Sequence, residues 1–151
     1  MIRWLLIFII SLEAQAQGVT PVKANAPQAF GHSDIPLEVR VEVEVMWGYH
    51  IQANRVKDES LVPTTLTWRE ENGWEVRENI FPPAKKFKLQ GSDLPLEVYD
   101  GKFDINTVFV PSSTLRKGSH RLFGKLQYQA CDSIKCLFPR SVEFFAVVEL
   151  D

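Results

Sequence analysis

Between Leu37 and Val45 the chain alternates without a break. Leu37, Val39, Val41, Val43 and Val45 fall on one side, and Glu38, Arg40, Glu42 and Glu44 on the other. A period of two with β-branched residues on the apolar side predicts a half-buried strand. Shorter extended runs follow. Trp47 to Asn54 is rich in aromatics around Gly48, and Thr64 to Trp68 resumes after a break at Asp58 to Pro63. Asn72-Gly73, set before Trp74-Glu75-Val76, is the strongest short signal for a hairpin. Phe81 to Lys86 reads as a loop because of its prolines. Phe103 to Val110, Ser119 to Ala130 and Ser141 to Leu150 are further strands. In the second of these Leu122, Gly124, Leu126 and Tyr128 share a face; in the third Val142, Phe144, Ala146 and Val148 do. No segment keeps a helical period beyond about two turns. About eight or nine short strands with turns every 8–12 residues predict an all-β fold, an antiparallel β-sandwich.

The start of the chain has a different texture. Arg3, the apolar run Trp4 to Ile10 and the small-residue site Ala14-Gln15-Ala16 predict a signal peptide over 1–16, with a retained N-terminal anchor as the alternative. Residues 17–34 mix Gly, Pro, Ala, Asn and Gln and are expected to be a flexible lead-in, with the ordered domain at 35–151. Cleavage would remove one cation, Arg3, and one anion, Glu13, so the formal charge stays at −2. Balanced charge without a basic stripe argues against nucleic acid as a partner. No later apolar run approaches the roughly 18 residues of a membrane span, so a periplasmic or secreted, soluble product is expected. Such a compartment is oxidising enough for a disulfide to persist.

The chemistry is concentrated in one place, because both cysteines, Cys131 and Cys136, lie within one short segment. In a hairpin the four residues between them put the two directly opposite on one face, close enough to bond, with Asp132 and Lys135 as the next pair. Two readings stay open. A structural clamp is the first, although a ring of about six residues stabilises a fold by only about 2 kcal/mol. Redox exchange is the second, and it needs an accessible sulfur whose thiolate is favoured by nearby cations; Lys135, Arg140 and His50 are candidates. His32, His50 and His120 are too scattered to complete a zinc site with the cysteines, so no metal is expected. No local signature favours a cysteine hydrolase.

The run Tyr128-Gln129-Ala130-Cys131, followed by Cys136 and Pro139, resembles the active-site hairpin of the N-terminal domain of DsbD, the membrane thiol:disulfide interchange protein. It is similar also to that of the related disulfide bond corrector (DsbC-like) domains. Phe138 stands where those families often have a first proline. The resemblance implies an immunoglobulin-like sandwich, a redox-active Cys131–Cys136 disulfide and no cofactor. It also implies that Cys136, the second of the pair, attacks first. His50 and Gln52 fall on positions where the family places site-lining tyrosines. Val98 and Tyr99, before Gly101-Lys102, resemble its cap loop, with Asp100 as an extra residue. The implied activity is that of a thiol:disulfide oxidoreductase, passing reducing equivalents between thioredoxin-like periplasmic proteins. A membrane thiol transporter is the implied separate source of electrons. The alternative is an immunoglobulin-like binding or structural module with an inert hairpin disulfide.

Overall fold

The computed structural model describes residues 18–151, so the expected signal peptide at 1–16 lies outside the described residues. The chain forms β1 (Val22–Asn25), β2 (Ala29–Gly31), β3 (Leu37–Val45), β4 (His50–Gln52), β5 (Thr65–Trp68) and β6 (Trp74–Ile80). It continues through β7 (Lys85–Phe87), β8 (Leu96–Tyr99), β9 (Lys102–Pro111), β10 (Gly118–Tyr128), β11 (Ala130–Cys131) and β12 (Arg140–Leu150). Two sheets, ordered β1-β3-β9-β6 and β2-β12-β10-β5, face one another as an immunoglobulin-like sandwich. A third, ordered β11-β4-β8-β7, closes one end.

The period-two pattern decides which faces meet. In β3 every apolar residue is buried and every charged one exposed, and Leu122, Gly124, Leu126 and Tyr128 of β10 are buried opposite. At one end of the sandwich Leu37, Val39 and Phe109 pack against Leu122, Ala146, Val148 and Leu150. At the other end Val41, Val43, Val45 and Ile105 meet Leu126 and Tyr128, and the third sheet adds Ile51, Tyr99 and Ala130. Gly124 is required on its face, because a Cβ there would lie 2.5 Å from the Phe144 ring.

Polar groups between the sheets are paired in a chain. The Trp68 indole N–H donates to Thr107 Oγ1 at 3.0 Å, the Thr107 hydroxyl donates to Asn79 Oδ1 at 2.7 Å, and the Asn79 amide donates to the Leu66 carbonyl at 2.9 Å. Trp68 also sits edge-on to Phe109 and Phe144, and Trp74 edge-on to Phe109. Both tryptophans are therefore packing residues.

Two expectations are corrected. The stretch 17–34 is not wholly a flexible lead-in: β1 pairs antiparallel with β3, Val22 opposite Val45, and β2 pairs parallel with β12, Ala29 opposite Val148. Its small apolar residues cannot fold alone, but the open edges of two sheets supply hydrogen-bond partners and an apolar floor. Asn72-Gly73 does form a tight turn, with the Trp74 N–H donating to the Glu71 carbonyl at 3.0 Å and Gly73 at φ 84°. It does not join a hairpin, because β5 pairs with β10 and β6 with β9, so the turn is a corner between the sheets.

Because the fold rests on this core, Leu126→Ala should cost about 2–5 kcal/mol. Replacing both cysteines by Ser should cost at most about 2 kcal/mol. Urea unfolding of the two variants checks the ranking, and loss of cooperative unfolding in the double Ser variant would identify a structural clamp instead.

Candidate functional site

The third sheet exists because longer strands change sheets at its edges. β10 ends at Tyr128, a buried core residue, and the chain continues after Gln129 as β11. Gln129 braces this switch. Its side-chain oxygen accepts from the Val62 N–H at 2.8 Å, its amide donates to the Leu137 carbonyl at 3.1 Å, and its own carbonyl accepts from the Gln52 N–H at 3.0 Å. The Tyr-Gln start of the cysteine segment therefore has a physical reason: one residue anchors the strand in the core and the next holds the hairpin to its neighbours.

The hairpin itself is closed by Leu137 N–H to Ala130 carbonyl at 2.7 Å and Asp132 N–H to Lys135 carbonyl at 2.9 Å. Cys131 and Cys136 lie between these bonds as a non-hydrogen-bonded pair, in which opposed side chains come closest. Their Cα atoms are 3.9 Å apart and the sulfurs are bonded to each other. Asp132 Oδ1 accepts from the Ile134 and Lys135 N–H groups, both at 2.8 Å, which fixes the turn. Those backbone hydrogen bonds hold the Asp132 carboxyl below its ordinary pKa, with the Lys135 and His50 charges as smaller contributions.

The two sulfurs are not equivalent. Cys131 is fully buried, whereas Cys136 is partly exposed, beside the exposed apolar side chains of Ile134 and Phe138. The Gln52 amide donates to Cys131 Sγ at 3.1 Å, with Cys136 Sγ further off at 3.8 Å. Gln52 is itself fixed by the Thr64 hydroxyl, which donates to its carbonyl at 2.5 Å. His50 is the cross-strand partner of Cys131, is buried, and stacks on Phe87 with ring centroids 3.8 Å apart. Burial pushes the His50 pKa below its ordinary value, opposed by the negative charges of Asp100 and Asp132.

The structure thus brings Cys131, Cys136, His50 and Gln52 to one face of the small sheet, and Val98, paired with Gln52, joins them. It does not bring Tyr99 there. Tyr99 pairs with Ile51 and points with it into the core, where its ring packs on Phe81 and Phe103 and its hydroxyl donates to Asn54 Oδ1 at 2.7 Å. Burial raises the Tyr99 pKa accordingly. Just past the Phe81–Lys86 stretch that the prolines mark as a loop, a further segment meets this face. β7 pairs with β8 and places Phe87 on His50, and the Gln90 N–H donates to the Ser133 carbonyl of the hairpin at 3.1 Å. The Lys85-Lys86-Phe87 triplet is too short to have announced this strand. Arg140, expected as a cation near the thiols, instead donates to the Gly18 and Val19 carbonyls. Beside the site a groove of about 500 Å³ runs from Gln52 between Val56, Leu61, Leu94 and Leu96.

Fold and site together define a class: an immunoglobulin-like sandwich that carries a hairpin cystine on a small third sheet. Among solved structures, the N-terminal periplasmic domain of ScsB from Proteus mirabilis shares the fold at TM-score 0.54 and 18% identity, over 81% of this chain. The match covers 44% of that chain, so the protein spans less than half the length of the structure it resembles. The DsbD N-terminal domain from Neisseria meningitidis, in the reduced form, aligns at TM-score 0.42 and 17% identity, over 71% of this chain and 74% of that one. The seventh ScaB type I cohesin from Pseudobacteroides cellulosolvens aligns at TM-score 0.50 and 8% identity, over 86% and 92% of the two chains. No protein-family model and no curated protein matches the sequence. What these likenesses show is the fold, shared with the ScsB periplasmic domain and the cohesin.

Two outcomes follow from this geometry. The amide resonances of Ile134 and Lys135 should titrate together with the Asp132 carboxylate, at a midpoint below the ordinary aspartate range, because protonation weakens both acceptors. The stabilising effect of that carboxylate is present above its unfolded pKa and is lost as pH falls through the depressed folded value. An NMR pH titration reads it directly. Tyr99→Ala should destabilise the domain by about 3 kcal/mol, as a truncation in the core does, without unmasking the disulfide. Urea unfolding together with the rate of reduction by a small thiol separates those effects.

Proposed function

We propose that this chain is an exported thiol–disulfide interchange domain, passing reducing equivalents between thioredoxin-like partners through Cys131 and Cys136. The observation that carries the reading is the asymmetry of the pair: one sulfur buried and held by an amide, the other partly exposed at an apolar rim. Exchange requires that asymmetry, because a partner thiolate must reach one sulfur in line while the other leaves into a site that accepts it. Cys136 is the sulfur a partner meets, and Cys131 resolves the mixed disulfide. Ile134 and Phe138 flank the point of attack and would be covered by the partner during contact. His50, Gln52 and Val98 line the site on the buried side, and Phe87 with Gln90 covers it. The likeness in fold to a periplasmic domain supports the same compartment for this chain, where a membrane thiol transporter would be the source of electrons.

If Cys136 attacks and Cys131 resolves, Cys131→Ser should accumulate a covalent complex with a thioredoxin-like periplasmic protein, and Cys136→Ser should form none. Non-reducing electrophoresis and mass spectrometry read the result. A reduction potential below roughly −300 mV, with no complex from either variant, would instead mark the disulfide as inert.

A further inference from the structure

Resolution poses a problem of protons that the cystine alone does not answer. Burial disfavours a thiolate, yet only the thiolate is nucleophilic, and Cys131 is fully buried. Gln52 donates a hydrogen bond to its sulfur, but a carboxamide cannot remove a proton. His50 lies directly opposite Cys131 in the β11–β4 ladder, so the two side chains leave the sheet on the same face. The imidazole is 4% exposed, and its Nε2 has no hydrogen-bond partner in the protein. A buried, unpaired ring nitrogen costs free energy. Its place directly across the ladder from Cys131, on the same face as the sulfur that must ionise, gives that cost a use.

On the reading of Cys131 as the resolving cysteine, we propose that His50 is the proton acceptor and donor for this residue. In resolution, neutral His50 takes the proton from the Cys131 thiol. The thiolate attacks Cys136 Sγ, the Cys131–Cys136 bond forms, and the bond from Cys136 to the partner sulfur breaks. The partner leaves as a thiolate, which takes the proton from the imidazolium directly or through solvent. The protein's two thiols are oxidised and the partner's disulfide is reduced. In the reverse direction the same imidazolium returns a proton to Cys131 as its sulfur leaves. The groups around His50 suit a neutral resting state that can still be charged. Phe87 covers one face of the ring, and desolvation holds its pKa down. Asp132 on the hairpin and Asp100 on the turn after β8 oppose that effect, and Asp100 is itself paired with Lys85 of β7. Lys135 on the hairpin turn acts on Asp132 with the opposite sign.

Stopped-flow reaction of the reduced protein with the aromatic disulfide 5,5′-dithiobis(2-nitrobenzoate) separates the steps. Attack by Cys136 releases one coloured thiolate at a rate proportional to reagent. Resolution by Cys131 releases a second at a rate independent of it. With His50→Gln and His50→Phe the second phase should slow by about tenfold or more at neutral pH. The deficit should shrink towards none as pH rises past the thiol range, where Cys131 ionises unaided. In the wild type the second phase should gain its rate near the pKa of an imidazole rather than of a thiol. Equal second-phase rates in wild type and both variants at neutral pH, or a deficit constant across pH, would overturn the role of His50. Absence of any second phase in the wild type would instead overturn Cys131 as the resolving residue, and with it the exchange reading. Retained cooperative unfolding in His50→Gln keeps a loss of fold from being read as a loss of proton transfer.

Discussion

The burial of Ile51, Tyr99 and Ala130 against Tyr128 and Leu126 is the constraint on which the site depends. Side chains alternate along a strand, so fixing these residues towards the core forces their neighbours the other way. Ile51 sends His50 and Gln52 outward, Ala130 sends Cys131, and Tyr99 sends Val98. The cysteine-bearing face is thus the reverse side of a hydrophobic anchor, and apolar packing decides which side chains it presents. Gln129 adds a polar brace, tying the sheet switch to the loops on either side. A slip of one residue in any of these three strands would exchange anchor and site together, which is why the arrangement needs no large hydrogen-bond network to be specified.

Some of this was legible in the residues. The alternation from Leu37 to Val45 became a strand with the same bounds, and four residues between the cysteines placed them opposite, as parity requires. What failed did so where tertiary contacts decide. The segment carrying β1 and β2 has weak propensity of its own and becomes extended only because β3 and β12 offer unpaired edges. Asn72-Gly73 is a true turn, but a turn cannot say whether its strands pair with each other or with partners far along the chain. The resemblance to a cap loop puts Tyr99 over the cysteines. Its pairing with Ile51 sends it to the core, and Val98 takes the cysteine side. Phe87 and Gln90 gave no signal, since a three-residue strand after two prolines has no period to read.

Core and hairpin contribute very unequally to stability. A sandwich with two buried clusters draws far more stability from its apolar core than from so short a covalent ring. The Asp132 turn holds the hairpin through hydrogen bonds of backbone and carboxylate, none of which involves sulfur.

The pairing of β2 with β12 reaches further than the edge it covers. Ala29 to Gly31 lie alongside Val148 to Leu150, so the earliest described strands and the last one complete each other across nearly the whole chain. Such contacts raise the contact order and cannot form until β12 has been made. That edge of the sheet therefore stays open until β12 has been made, more than a hundred residues after β2.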